Sequence, residues 1–162
     1  MTEMRRDYLD NVRQKIVGEV RPAKMILIYS RNNFTSRRSV REEQELYTAL
    51  VDMYSADIVH FWTGIYPYAF RDSITLLSQG VLFLGPHGAG LAAQVFLGTN
   101  ATVIEFRPRA RSERASCFEL MAYACNNHFH VYTSEGDKQT PMSINVSEVV
   151  DLVRRSYHPH QT

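Results

Sequence analysis

At 162 residues the chain suits one domain with a core of its own and is too short for two. Apolar residues make up 44% and charged residues 22%, and the formal net charge is +1, so there is no global pull toward nucleic acid or membrane and any basic function has to be local. No run approaches the roughly 18–20 unbroken apolar residues that span a bilayer, and the opening residues lack the apolar core of a signal peptide.

Taken in chain order, Met4, Tyr8, Val12 and Ile16 recur at helical spacing with Leu9 beside them, which predicts an amphipathic helix closing near Gly18. Arg21-Pro22 ends it, and the apolar run Met25–Tyr29 predicts a first strand buried on both faces. Ser39 with Glu42 has the spacing of a capping box, so a helix is expected from there to about residue 54. A second strand follows at 58–61, a helix at 68–79 and a third strand at 81–84. After a glycine turn come a helix at 88–97, a fourth strand at 102–106, a helix at 113–126, a fifth strand at 129–132 and a last helix at 146–156. Such alternation predicts an α/β fold: a single Rossmann-like parallel sheet of about five strands with helices on both faces.

The organisation expected is a packing helix over 1–20, the Rossmann-like domain over 21–157 and a mobile tail at 158–162, with a second mobile stretch at 133–145. Cys117 and Cys125 lie eight apart in one expected helix, about 12 Å along its axis, too far to form a disulfide. Three glycosylation triplets, at Asn33, Asn100 and Asn145, would matter only in a secretory lumen and arise readily by chance. The expectation for His128 and His130 on their short strand is opposite faces and no shared metal, and no cluster with metal-ligand spacing occurs.

In a parallel sheet, ligands bind beyond the carboxyl ends of the strands, and those loops carry the informative residues. After strand one come Arg31, Arg37 and Arg38. Arginines beside a helix N-terminus oppose its dipole, which either local pairs such as Arg38 with Glu42 or a bound polyanion can offset. After strand three, Gly85, Gly88 and Gly90 leave room for a close backbone approach, and the amides of Gly88, Ala89 and Gly90 open the next helix beside His87. These glycines read either as an anion cradle or as a chain reversal alone. Near the end of strand four, Glu105 is open to ribose hydroxyls or to pairing with Arg107 or Arg109. Trp62 and Tyr66 suit either stacking on a base or, for Trp62, the core.

Several motifs are excluded by their letters. A phosphate loop of the Walker type needs Gly-Lys-Ser/Thr where Gly90-Leu91-Ala92 stands, and no Gly-x-Ser-x-Gly elbow occurs. A nicotinamide site stays open as a lesser alternative: strand, glycine turn, helix and strand are followed by Glu105 some 17 residues past Gly88, near the offset of a ribose-binding acid, although the glycines run Gly-x-x-Gly-x-Gly and not Gly-x-Gly-x-x-Gly.

Taken together, Ser30-Arg31, the stretch from Ser36 to Glu43, Gly85-Pro86-His87-Gly88-Ala89-Gly90-Leu91 and Val103-Ile104-Glu105-Phe106 resemble the C-terminal domain of glycosyltransferase family 61 over residues 25–135. The resemblance implies one half of a GT-B architecture and inverting transfer from a UDP-sugar donor to a hydroxyl acceptor on protein or glycan, with no cofactor and no metal. Arg31 with Arg37 or Arg38 would hold the diphosphate, the turn His87, Gly88, Ala89 and Gly90 would cap it, and Glu105 would lie near the ribose. It assigns no general base, and Glu42 stands where many relatives have asparagine. A second domain or a homo-oligomer is expected to complete the enzyme. A eukaryotic member would work in the Golgi or ER lumen, any other in the cytoplasm. The alternative is a non-catalytic nucleotide or sugar-nucleotide binding module.

Overall fold

The alternation of apolar runs and helical stripes becomes a layered sheet in the computed structural model, which describes residues 2–18, 22–32, 38–64, 70–98, 100–109, 117–137 and 140–159. Strands β1 (Met25–Tyr29), β2 (Val59–Trp62), β3 (Gly80–Pro86), β4 (Thr102–Pro108) and β5 (His128–Ser134) form one parallel sheet in the order β2-β1-β3-β4-β5. Helices α1 (Thr2–Val17), α2 (Glu43–Tyr54), α3 (Phe70–Ser78), α4 (Cys117–Ala124) and α5 (Val146–Ser156) flank it, together with a 3-10 helix at Ala89–Phe96. This is the expected α/β class.

Side chains along the central strands alternate between two cores. Ile26 and Ile28 face Leu46 and Leu50 of α2 and Val149 and Val153 of α5. Leu27 and Tyr29 face the opposite layer, with Ile74 and Leu77 of α3, Leu91 of the 3-10 helix and Leu97 just after it, and Phe118 of α4. Burial on both faces is why β1 has to be apolar without interruption, each fully buried Leu or Ile being worth roughly 1.5–3 kcal/mol. Because β1 is flanked by β2 on one side and β3 on the other, the chain leaves it and β3 in opposite directions. The crevice beyond their carboxyl ends is the switch point at which doubly wound sheets bind ligands.

Several boundaries and contacts differ from expectation. Strands β3 and β4 extend to Pro86 and Pro108, so Gly85 and Glu105 are paired within the sheet, opposite each other. On α1, Tyr8 is 68% exposed, and the helix instead buries Arg13, which donates to the Leu97 carbonyl and pairs with Asp10. The segment after Gly88 winds as a 3-10 helix over Ala89–Phe96, with Leu91, Ala93 and Gln94 buried along it and Leu97 at its C-cap. His128 and His130 sit two apart on β5, so they share one exposed face of the strand rather than opposing faces.

Ser39 does not open a capping box. Its carbonyl accepts from the Met142 amide at 2.7 Å, Val40 pairs with Met142, and α2 starts only at Glu43. The Glu42 carboxylate accepts from the Ser143 hydroxyl at 2.7 Å and from the Ile144 amide at 3.0 Å. The same contacts anchor parts of the stretch expected to be mobile, 133–145: residues 133 and 134 belong to β5, Glu135 pairs with Ser143, and Met142 is 0% exposed, while 138 and 139 lie outside the described residues. Replacing Met142 with alanine opens a cavity beside Val40 and Ile144 and is expected to cost about 2–5 kcal/mol, a loss that urea unfolding would report.

Candidate functional site

The site forms where the ends of β1 and β3 meet. The turn leaving β1 presents Arg31, and Arg38, in a left-handed backbone conformation (φ 58°), reaches back toward the same place. Its Nη1 lies 3.5 Å from the carbonyl of His87. A β-carbon at Gly88 would stand 2.6 Å from Nη1 of Arg31 and 3.9 Å from Nη1 of Arg38, so a side chain there would displace the Arg31 guanidinium from the backbone beyond β3 while Arg38 would stay in ordinary contact. Arg31, Arg38, His87 and Gly88 are therefore brought together, with Ala89 exposed at the first turn of the 3-10 helix. Arg37 and Tyr66 lie outside the described residues.

Two of the three glycines serve a residue that the sequence reading treated only as strand. A β-carbon at Gly85 would lie 2.7 Å from Cβ of Tyr29, and one at Gly90 would lie 2.5 Å from its hydroxyl oxygen. The phenol oxygen therefore lies directly against the backbone of the turn at Gly90. Tyr29 is held edgewise among Trp62 and Phe83, with ring centroids 5.4 and 6.2 Å away. Trp62 is itself core, its indole N–H donating to Ser73 at 3.0 Å. The signal for Tyr29 was its place at the last position of an apolar strand beside Ser30-Arg31, facing a glycine turn one strand away.

Beneath the guanidiniums runs a buried ionic chain. His87 Nδ1 contacts Oε1 of Glu105, and Oε2 of the same carboxylate accepts from Arg107 at 2.7 Å. The His87 ring also meets Phe118 edge-on at 5.3 Å, and its backbone amide donates to the Phe106 carbonyl. Burial alone would raise the Glu105 carboxyl, but the hydrogen bonds and charges of His87 and Arg107 outweigh it and hold the group below the usual carboxylate range. An ionised carboxylate accepts only, so Nδ1 carries the proton and Nε2 is left for other partners. Glu105 is 0% exposed with both oxygens engaged, so a ribose hydroxyl would have to displace one of these partners. Of the pairings open to it, the one with Arg107 is formed.

Glu43 is a second buried carboxyl that sequence reading had quoted without a role. Its Oε1 accepts from Ser30 Oγ at 2.7 Å and Asn32 Nδ2 at 2.8 Å, the two neighbours of Arg31, which fixes the turn carrying that arginine. Its Oε2 has no hydrogen-bond partner among the described residues, and burial pushes the carboxyl up against the opposing pull of Ser30.

Because folding depresses Glu105, its contribution is complete above the ordinary carboxylate value near 4.5 and is lost as pH falls through the lower folded value. Glu105→Gln is expected to cost about 3–5 kcal/mol at pH 7, since it removes the carboxylate charge that pairs with buried Arg107, and to flatten the acid limb of stability. Urea unfolding of both proteins at pH 7 and below pH 4.5 checks both parts.

Comparison with known proteins bears on this geometry. The family model described as Glycosyltransferase 61 matches residues 2–104, more than half of the chain. The chain is 34% identical over 85 residues to protein O-linked-mannose beta-1,4-N-acetylglucosaminyltransferase 2 of Pan troglodytes, and 33% identical over 85 residues to the Homo sapiens protein. Each alignment covers 52% of this chain and 14% of the relative, so the chain matches only a small part of those enzymes. With the two loops that carry the resemblance meeting at one sheet edge and the family model covering both, the chain belongs to glycosyltransferase family 61.

Proposed function

We propose that the crevice between β1 and β3 holds the diphosphate of a nucleotide-sugar donor, a UDP-sugar, and that the domain serves inverting transfer of the sugar to a hydroxyl on protein or glycan. The observation that carries this reading is the convergence of Arg31 and Arg38 over Gly88 at the switch point of the sheet. Guanidinium groups stay charged at any physiological pH and fit phosphate oxygens through paired N–H donors. As the bond between the anomeric carbon and the diphosphate breaks, charge develops on the leaving oxygen. Donors already fixed around it stabilise that charge without rearranging. Two permanent cations supply what a divalent ion supplies elsewhere, so the reading requires no resident metal.

Each residue has a part in that step. Arg31, steadied through Ser30 and Asn32 by Glu43, and Arg38 grip the phosphates. His87, whose tautomer Glu105 sets, offers Nε2 toward a partner, and Arg107 keeps the Glu105 carboxylate charged. We assign Glu105 to positioning His87 rather than to the ribose. The names of the relatives make UDP-N-acetylglucosamine the first donor to test.

Calorimetric titration of UDP, UDP-N-acetylglucosamine, UDP-xylose and NAD is the direct experiment. UDP and at least one UDP-sugar are expected to bind. Arg31→Ala should weaken UDP about 10- to 100-fold, the worth of hydrogen bonds to a charged group, and Gly88→Ala should act in the same direction by displacing that guanidinium. Preference for NAD would overturn the donor assignment, and binding with no turnover of any UDP-sugar would favour a binding module.

A further inference from the structure

The Tyr29 hydroxyl oxygen lies against the Gly90 backbone, where a β-carbon would stand 2.5 Å from it, and no hydrogen bond to an acceptor among the described residues holds its proton. A phenol can donate and accept at once, whereas the charged groups nearest to it, Arg31 and Arg38, can only donate. Neither the guanidiniums nor the Gly90 amide can take that proton, which leaves it for a bound acceptor. The ring cannot turn away to find another one, because it is wedged against Gly85 and Gly90 and packed on Trp62 and Phe83.

The surroundings select the kind of acceptor. Two guanidiniums that converge on Gly88 and a phenol that lies against Gly90, two residues further on, line the same short stretch of backbone. An oxygen that satisfies a donor there while bearing negative charge also satisfies the two cations. We propose that the Tyr29 hydroxyl is a further ligand for the donor, donating its proton to a diphosphate oxygen held by Arg31 and Arg38. This rests on the donor reading above and extends it to a neutral donor that no loop motif marks. Burial raises the phenol above its ordinary value, with the two arginines and the Gly90 amide pulling the other way, so the group keeps the proton it would donate at neutral pH.

The test is Tyr29→Phe, which preserves the ring and removes only the hydroxyl, with calorimetric titration of inorganic pyrophosphate, UDP and uridine and a thermal melt of each protein. The expected result is a loss of about 10-fold in pyrophosphate and UDP affinity, with uridine affinity and the melting temperature unchanged. Unaltered pyrophosphate and UDP affinities would overturn the role of Tyr29 and leave the donor reading intact. An equal loss for uridine, or a lowered melting temperature that accounts for the loss, would also overturn it, since the hydroxyl would then be holding the Gly90 turn and nothing more. Wild-type protein that binds pyrophosphate but not UDP would remove the donor reading, while the same Tyr29→Phe comparison on pyrophosphate still decides the phenol. Wild-type protein that binds neither would remove both.

Discussion

The carboxyl edge of this sheet depends on one steric constraint: the end of β1 is pressed so closely onto the backbone after β3 that only hydrogen fits at residues 85 and 90, with the Arg31 guanidinium against a third glycine, Gly88. Tyr29 occupies the space that side chains at residues 85 and 90 would need, and Arg31 occupies the space beside residue 88. Adjacent parallel strands lie about 4.8 Å apart, so a side chain leaving the end of one reaches the backbone of the other with nothing between. Any larger residue at these sites would push the tyrosine ring or the guanidinium out of the crevice. The glycines thus act first on the protein's own side chains, and the space left open to a ligand is what those side chains then define.

Charge is arranged in two layers around that contact. The lower layer is buried: the Glu105 carboxylate, 0% exposed, pairs with Arg107 and with Nδ1 of His87, and a buried pair of this kind contributes shape and orientation more than net stability. The upper layer is partly open, with half-buried Arg31 and Arg38 above it. Separating the two matters chemically. A carboxylate exposed beside the arginines would compete with phosphate for them, whereas Glu105 faces the opposite way, toward its own histidine and arginine.

The consecutive glutamates at the start of α2 tie this edge to the rest of the fold. Glu42 holds Ser143 and Ile144, and Glu43 holds Ser30 and Asn32, so one helix start fastens the segment entering α5 and the turn carrying Arg31. Met142, buried between them, packs the underside of the turn at Val40.

Five strands, their order along the chain, the helices between them and the loops bearing arginine and glycine were all legible in the letters, because period-two and helical patterns and turn residues act over a few positions. The clustering of Arg31, Arg38, His87 and Gly88 was inferable from the rule that ligands bind beyond strand ends. What each glycine faces, which partners Glu105 takes, where β3 and β4 stop and how tightly the segment after Gly88 winds were decided only by tertiary structure. Each of these depends on a contact between residues far apart in sequence, such as Tyr29 with Gly90 or Ser39 with Met142, and such pairs leave no periodic trace in either partner's neighbourhood. Patterning selects which face of an element is buried, and only the packed fold determines which side chain fills the space opposite it.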